Sequence, residues 1–173
     1  MARMQHAVHS DAAAVDTGRV SGCRTLRFAT LDDLWAEVER LAAADRAGTL
    51  KRRGNWTLGQ ALGHLATWVQ FAFDGTPLQP PWFVKLILRM RKKRYLHEGM
   101  PRGVRIPKVQ GGTLGTEPLG LDEGLNRYRA VIDRLRRQTP SKPNVIFGPL
   151  THEEWIALQL RHAELHLSFF DCR

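Results

Sequence analysis

Cysteine is scarce in this chain. Cys23 and Cys172 stand near opposite ends. They form no closely spaced metal-binding pair, and in a reducing compartment a disulfide between them is not expected. Long apolar runs are missing too: nothing approaches the roughly 20 residues that span a bilayer. The opening residues, Met-Ala-Arg-Met-Gln-His-Ala-Val-His, lack the apolar core of a signal peptide. The expectation is a cytoplasmic protein with no transmembrane segment. Alternating strand patterns and internal repeats are also absent, which disfavours sandwiches, barrels and solenoids.

Acid is missing from one place in particular. Between Lys85 and Lys108 nine basic residues face a single acid, Glu98, a surplus of 8 out of the chain's formal +9. The rest is close to neutral, so a pI near 10.4 overstates the case for nucleic acid, which is not an expected partner. The run Arg89-Met-Arg-Lys-Lys-Arg94 reads first as a solvated face or a gate for an anionic substrate. Beside Trp82, Phe83, Leu86, Ile87 and Leu88 it also suits an anionic partner or membrane surface.

What remains is ordinary for a globular chain of 173 residues, with 43% hydrophobic and 25% charged residues. Residues 1–24 are small, polar and aperiodic, and read as a poorly ordered arm. Residues 25–173 read as one domain. Leu26-Arg-Phe28 is an extended lead-in to a helix capped by Thr30 and Asp33. Lys51–Gly54 is a connector. A second helix opens with the capping box Thr57 and Gln60, and carries the apolar stripe Leu58, Leu62, Leu65, Val69 and Ala72. Residues 76–120 are broken by proline and glycine, with one short basic helix expected over Trp82–Leu96. A third long helix covers Leu121–Gln138. A fourth opens with Thr151 and Glu154. Four amphipathic helices without strands predict an all-α four-helix bundle, with a basic, partly helical insertion between the second and third.

The last helix has an anomaly. Advancing about 100° per residue places His162 and His166 about 20° on either side of Trp155, in mid-stripe. Burying an unpartnered polar ring costs roughly 1–3 kcal/mol, so two such rings ask for a shared partner. A metal ion serves; so would backbone groups or Tyr128, if the pair belongs to the core. Glu164 falls opposite the stripe and should face water, and Ala163 follows His162, so the zinc-protease motif is excluded. The third ligand must come from another helix, and His64 is the histidine available. Three imidazoles with an open position describe a catalytic type of site, and they suit Zn, Ni, Fe or Cu alike. His97 is a remote fourth ligand, His152 should face solvent, and Cys172 could lie near the site. No catalytic residue is assigned.

Four blocks carry a resemblance. They are Asn55-Trp-Thr-Leu-Gly-Gln-Ala-Leu-Gly-His-Leu65, Gly99-Met-Pro-Arg-Gly103, Phe147-Gly-Pro-Leu-Thr-His-Glu-Glu-Trp155 and Arg161-His-Ala-Glu-Leu-His-Leu-Ser-Phe-Phe170. Together they resemble an uncharacterised, domain-of-unknown-function branch of the DinB/YfiT-like superfamily. The resemblance implies a bundle with up-down-down-up connections and a divalent-metal site on His64, His162 and His166. It also implies a thiol transferase or, second, a hydrolase, with a thiol substrate, while the arginines of residues 76–120 suit a small anionic one. The chain departs from the pattern in its longer insertion, and in Asn144-Val-Ile146 where relatives often carry a His-Pro pair. The other reading is a non-enzymatic, metal-stabilised binding module. Leu160 and Leu167, taken as exposed, suit a homodimer.

Overall fold

The computed structural model describes residues 14–172. Among these the chain is all-α apart from one small ladder. Its helices are α1 (Leu31–Arg46), α2 (Leu58–Asp74), α3 (Trp82–Met90), α4 (Lys92–His97), α5 (Leu121–Arg137) and α6 (His152–Leu167), with a 3-10 turn at Gln110–Gly112. The three capping boxes at Thr30, Thr57 and Thr151 form in full: each hydroxyl accepts from the third helical N–H, and that residue's side chain accepts from the cap N–H. The starts of α1, α2 and α6 are thus written locally. In α5, Asp122 and Glu123 open the helix and Arg134, Arg136 and Arg137 close it, complementing its dipole.

The core is the meeting of four stripes. Leu34, Val38 and Leu41 of α1, Leu58, Leu62 and Leu65 of α2, Tyr128, Ile132 and Leu135 of α5, and Trp155, Ala163 and Leu167 of α6 are buried in one cluster. α2 approaches α5 closely because its facing residues are small. A Cβ on Gly124 would lie 2.6 Å from the Gly59 carbonyl oxygen, and one on Gly63 would lie 2.7 Å from Leu119 Cδ2. One turn further, Gly115, at φ +70, is pressed against Thr67. The stripe Gly59, Gly63 and Thr67 therefore draws residues 115–120 onto α2, and this places the loop carbonyls beside the middle of that helix.

Four expectations are corrected. Glu164 is buried, not hydrated: the back of α6 is covered by the segment entering α1. Glu164 accepts from the Phe28 N–H at 2.6 Å and pairs with buried Arg161 at 2.7 Å, while Arg161 donates to the Phe28 carbonyl at 2.6 Å. The same enclosure buries Leu160 and Leu167, which removes the ground for dimerisation through them. Residues 51–54 are more than a connector, since Lys51–Arg52 pairs antiparallel with Phe170–Asp171. The basic helix is two helices, broken at Arg91.

Of the expected arm, residues 1–13 lie outside the described residues. Val15 exchanges two hydrogen bonds with the Asn55 side chain. The Arg24 N–H donates to the Ser168 carbonyl at 3.0 Å, and its guanidinium reaches Glu37 and the Leu167 carbonyl.

Candidate metal centre

Two helices deliver three imidazoles to one place. His162 and His166 are a turn apart on α6, and His64 comes from the middle of α2. His162 Nε2 lies 3.2 Å from His64 Nε2 and 3.0 Å from His166 Nε2. One ligand atom from each ring falls within 4.8 Å of the other two. His64 is 1% exposed, and the α6 pair is half-buried. Aromatic rings pack around the cluster. Trp56 stacks on His166 with centroids 5.3 Å apart, and Trp68 meets His64 and His162 edge-on.

The proton count decides what this cluster is suited to. His64 Nδ1 lies 2.7 Å from the Leu114 carbonyl oxygen. A carbonyl only accepts, so Nδ1 carries the proton and Nε2 presents a lone pair. Each Nε2 has one in-plane position, either a proton or a lone pair. His162 Nε2 faces two other Nε2 atoms and cannot donate to one while accepting from the other. As neutral rings, the three have at best one shared proton, a three-centre bond from the His162 Nε2–H to the other two lone pairs; any other tautomer of His162 or His166 leaves a nitrogen–nitrogen contact unsatisfied. A cation at the centre satisfies all of them at once. Two imidazole nitrogens held tetrahedrally at about 2.0–2.1 Å from zinc stand roughly 3.3 Å apart; two of the three pairs, at 3.0 and 3.2 Å, are close to that spacing, and all three ligand atoms lie within 4.8 Å of one another. The Leu114 carbonyl stands where metal-bound histidines commonly find the partner that fixes their tautomer. Tyr128, the side-chain partner in the core-histidine reading, does not serve: its hydroxyl is buried without any hydrogen bond.

Burial keeps the rings neutral, the form that binds metal. It pushes His64 down to about 4, against opposition from the Leu114 carbonyl and Glu117. His162 and His166 are held well below their ordinary 6.5, first by burial and then by the neighbouring imidazoles. A lowered histidine pKa means the unfolded chain takes up protons first as pH falls. The metal-free protein should therefore keep full stability above about 6.5 and lose it progressively towards about 4. His64 alone accounts for roughly 3 kcal/mol of that loss, and urea titrations across this window would measure it. A flat profile would show that the rings are protonated or exposed in the folded state.

The remaining candidates lie elsewhere. His97 is exposed and outside the cluster. His152 does not simply face solvent: its Nε2 sits 2.6 Å from the Leu135 carbonyl oxygen, tying the start of α6 to the end of α5. Cys172 lies beside Arg40 and is also outside the cluster. Leu114 escaped sequence reasoning because a backbone carbonyl has no side-chain signature; the small residues at Gly59, Gly63 and Thr67 were its nearest signal. Two surface hollows, one beside Trp35 and Arg129 and one beside Thr57 and Leu119, contain none of the three histidines.

Fold and site together define a helical protein with a clustered three-histidine group that could hold a metal ion. The chain belongs to the family described as Protein of unknown function (DUF1569), whose model matches residues 21–173. No curated protein and no solved structure matches it.

Proposed function

We propose that His64, His162 and His166 are the protein ligands of a divalent transition metal such as Zn, Ni or Fe, and that the protein is a metal-dependent enzyme, a thiol transferase before a hydrolase. The observation carrying this reading is the convergence of three buried or half-buried imidazoles, with His162 Nε2 3.2 and 3.0 Å from the Nε2 atoms of His64 and His166. The accompanying fold is a DinB-like bundle of α1, α2, α5 and α6 in up-down-down-up order, with residues 76–120 as the insertion. The sequence resemblance supports that topology and the thiol chemistry.

When bound, a divalent ion at such a site lowers the pKa of water or a thiol, so that a nucleophile exists near neutral pH. The chain's own residues do the rest. Leu114 orients His64, and α6 fixes the spacing of His162 and His166. Trp56 and Trp68 exclude water from one side of the cluster. The Trp68 Nε1–H, buried without a partner, is a donor available to an acceptor on a bound molecule. Three protein ligands leave a position open, whereas a structural site would close it with a fourth.

Cobalt(II) tests this directly. Added to metal-free protein, it should give the visible absorption of a low-coordinate nitrogen site. β-Mercaptoethanol should then add a near-ultraviolet sulfur-to-cobalt charge-transfer band. A cobalt spectrum that the thiol leaves unchanged removes the thiol chemistry and leaves metal binding standing.

A further inference from the structure

The most exposed apolar side chains of the described residues are concentrated on α3, away from the histidines in sequence and in role. Trp82 is 76% exposed and Met90 74%, and Phe83, Leu86 and Ile87 each expose about half their surface. No residue of α3 is buried. At about 100° per residue these five side chains share a sector about 140° wide. Val84 and Leu88, half-buried, occupy the opposite side and hold the helix to the protein. Lys85 and Arg89 border the exposed sector on the Trp82 edge, and Arg91 and Lys93 follow directly. Among the described residues Lys85, Arg91, Lys93, Arg105 and Lys108 have no carboxylate partner. The two cations of this segment that do are Lys92, paired with Glu154, and Arg94, paired with Glu98.

Arg89 lacks a carboxylate as well, although its Nε–H donates to the Ile146 carbonyl at 3.3 Å. An apolar helix face bordered by cations without carboxylate partners is the pattern of a helix that lies in a membrane interface. We propose that α3 docks this protein on the surface of an anionic lipid bilayer, its apolar face entering the headgroup–acyl boundary and the surrounding cations meeting lipid phosphates. Charge decides against a second copy of the chain, because a two-fold contact through α3 would press two segments of surplus positive charge together. Nucleic acid meets the cations but not Leu86, Ile87 and Met90, which offer its bases and phosphates nothing to bond. A protein partner would have to present an apolar groove ringed by acid to match this face; an anionic bilayer offers an apolar layer beneath negative headgroups with no such fit. No helix among the described residues is long and apolar enough to cross a membrane, so the contact is with the surface.

Flotation of the full chain with vesicles tests this, using phosphatidylglycerol and phosphatidylcholine in equal parts against phosphatidylcholine alone. The wild type should float with the anionic vesicles only, and salt should release it. Ile87→Ser with Met90→Ser, and separately Arg91→Glu with Lys93→Glu, should each lower binding by about tenfold or more. All four positions are exposed, so folding survives, and circular dichroism checks that it does. Failure of the wild type to bind anionic vesicles at low salt overturns the proposal. So does binding that Ile87→Ser with Met90→Ser leaves unchanged, or a solution dimer that this variant dissociates while vesicles bind neither form.

Discussion

Exchanging His162 for leucine is expected to abolish metal binding while stabilising the metal-free chain. His162 is the hub of the cluster, since its Nε2 faces both of the others. Losing a ligand's supporting partner alone costs about 10–100-fold in metal affinity, so losing this ligand should cost at least about 100-fold. Without metal the ring is a polar group in an apolar stripe, held neutral by its surroundings. Its replacement by an apolar side chain of similar size removes a desolvation cost of roughly 1–3 kcal/mol. Denaturation of both proteins with and without added zinc reads the two effects separately. Wild type should be stabilised by the ion and the variant should not. If His162 served the core instead, His162→Leu would destabilise the metal-free protein and zinc would change neither.

Removing the Glu164 carboxylate is expected to be the costliest single change away from the histidines. Its partner Arg161 is as deeply buried as Glu164 itself, and both also bond the Phe28 backbone. Truncating one member of a buried pair leaves the other charge uncompensated, at about 3–5 kcal/mol. For a chain of this size that lowers the melting midpoint by on the order of 10 °C. Glu164→Ala should show it in thermal denaturation. Arg161→Met with Glu164→Leu should lose less than Glu164→Ala, because no buried lone charge remains; Arg27, 3.7 Å from the carboxylate, is exposed to water. The pair sits on the back of α6, so zinc affinity should be nearly unchanged. A loss under about 1 kcal/mol would mean that water reaches the carboxylate, as at a surface ion pair.

The contrast between these two sites shows what the sequence makes legible. His162 and His166 were visible because one helix sets their spacing and an apolar stripe makes polar residues conspicuous. The helix starts were visible because a capping box is complete within four residues. Glu164 was misplaced for a physical reason: helical periodicity shows which residues share a face but not which faces the rest of the chain covers. The covering segment, with Arg24 and Phe28, has no periodicity to announce it. The ladder of Lys51–Arg52 with Phe170–Asp171 is too short to leave an alternation. The break at Arg91 falls within an unbroken run of helix-forming residues, so only tertiary context sets it. His64 is reached because it lies within another expected bundle helix, and the resemblance names the same residue; the Leu114 carbonyl that orients it has no side-chain signature.

The proposed chemistry requires a metal ion on His64, His162 and His166. Elemental analysis of the purified protein, before and after reconstitution with zinc, nickel and iron, tests that most directly, beside His162→Ala and His166→Ala. The predicted result is one transition-metal ion per wild-type chain and none retained by either variant after desalting. A wild-type protein that holds no metal after reconstitution, or variants that retain as much as wild type, would contradict it.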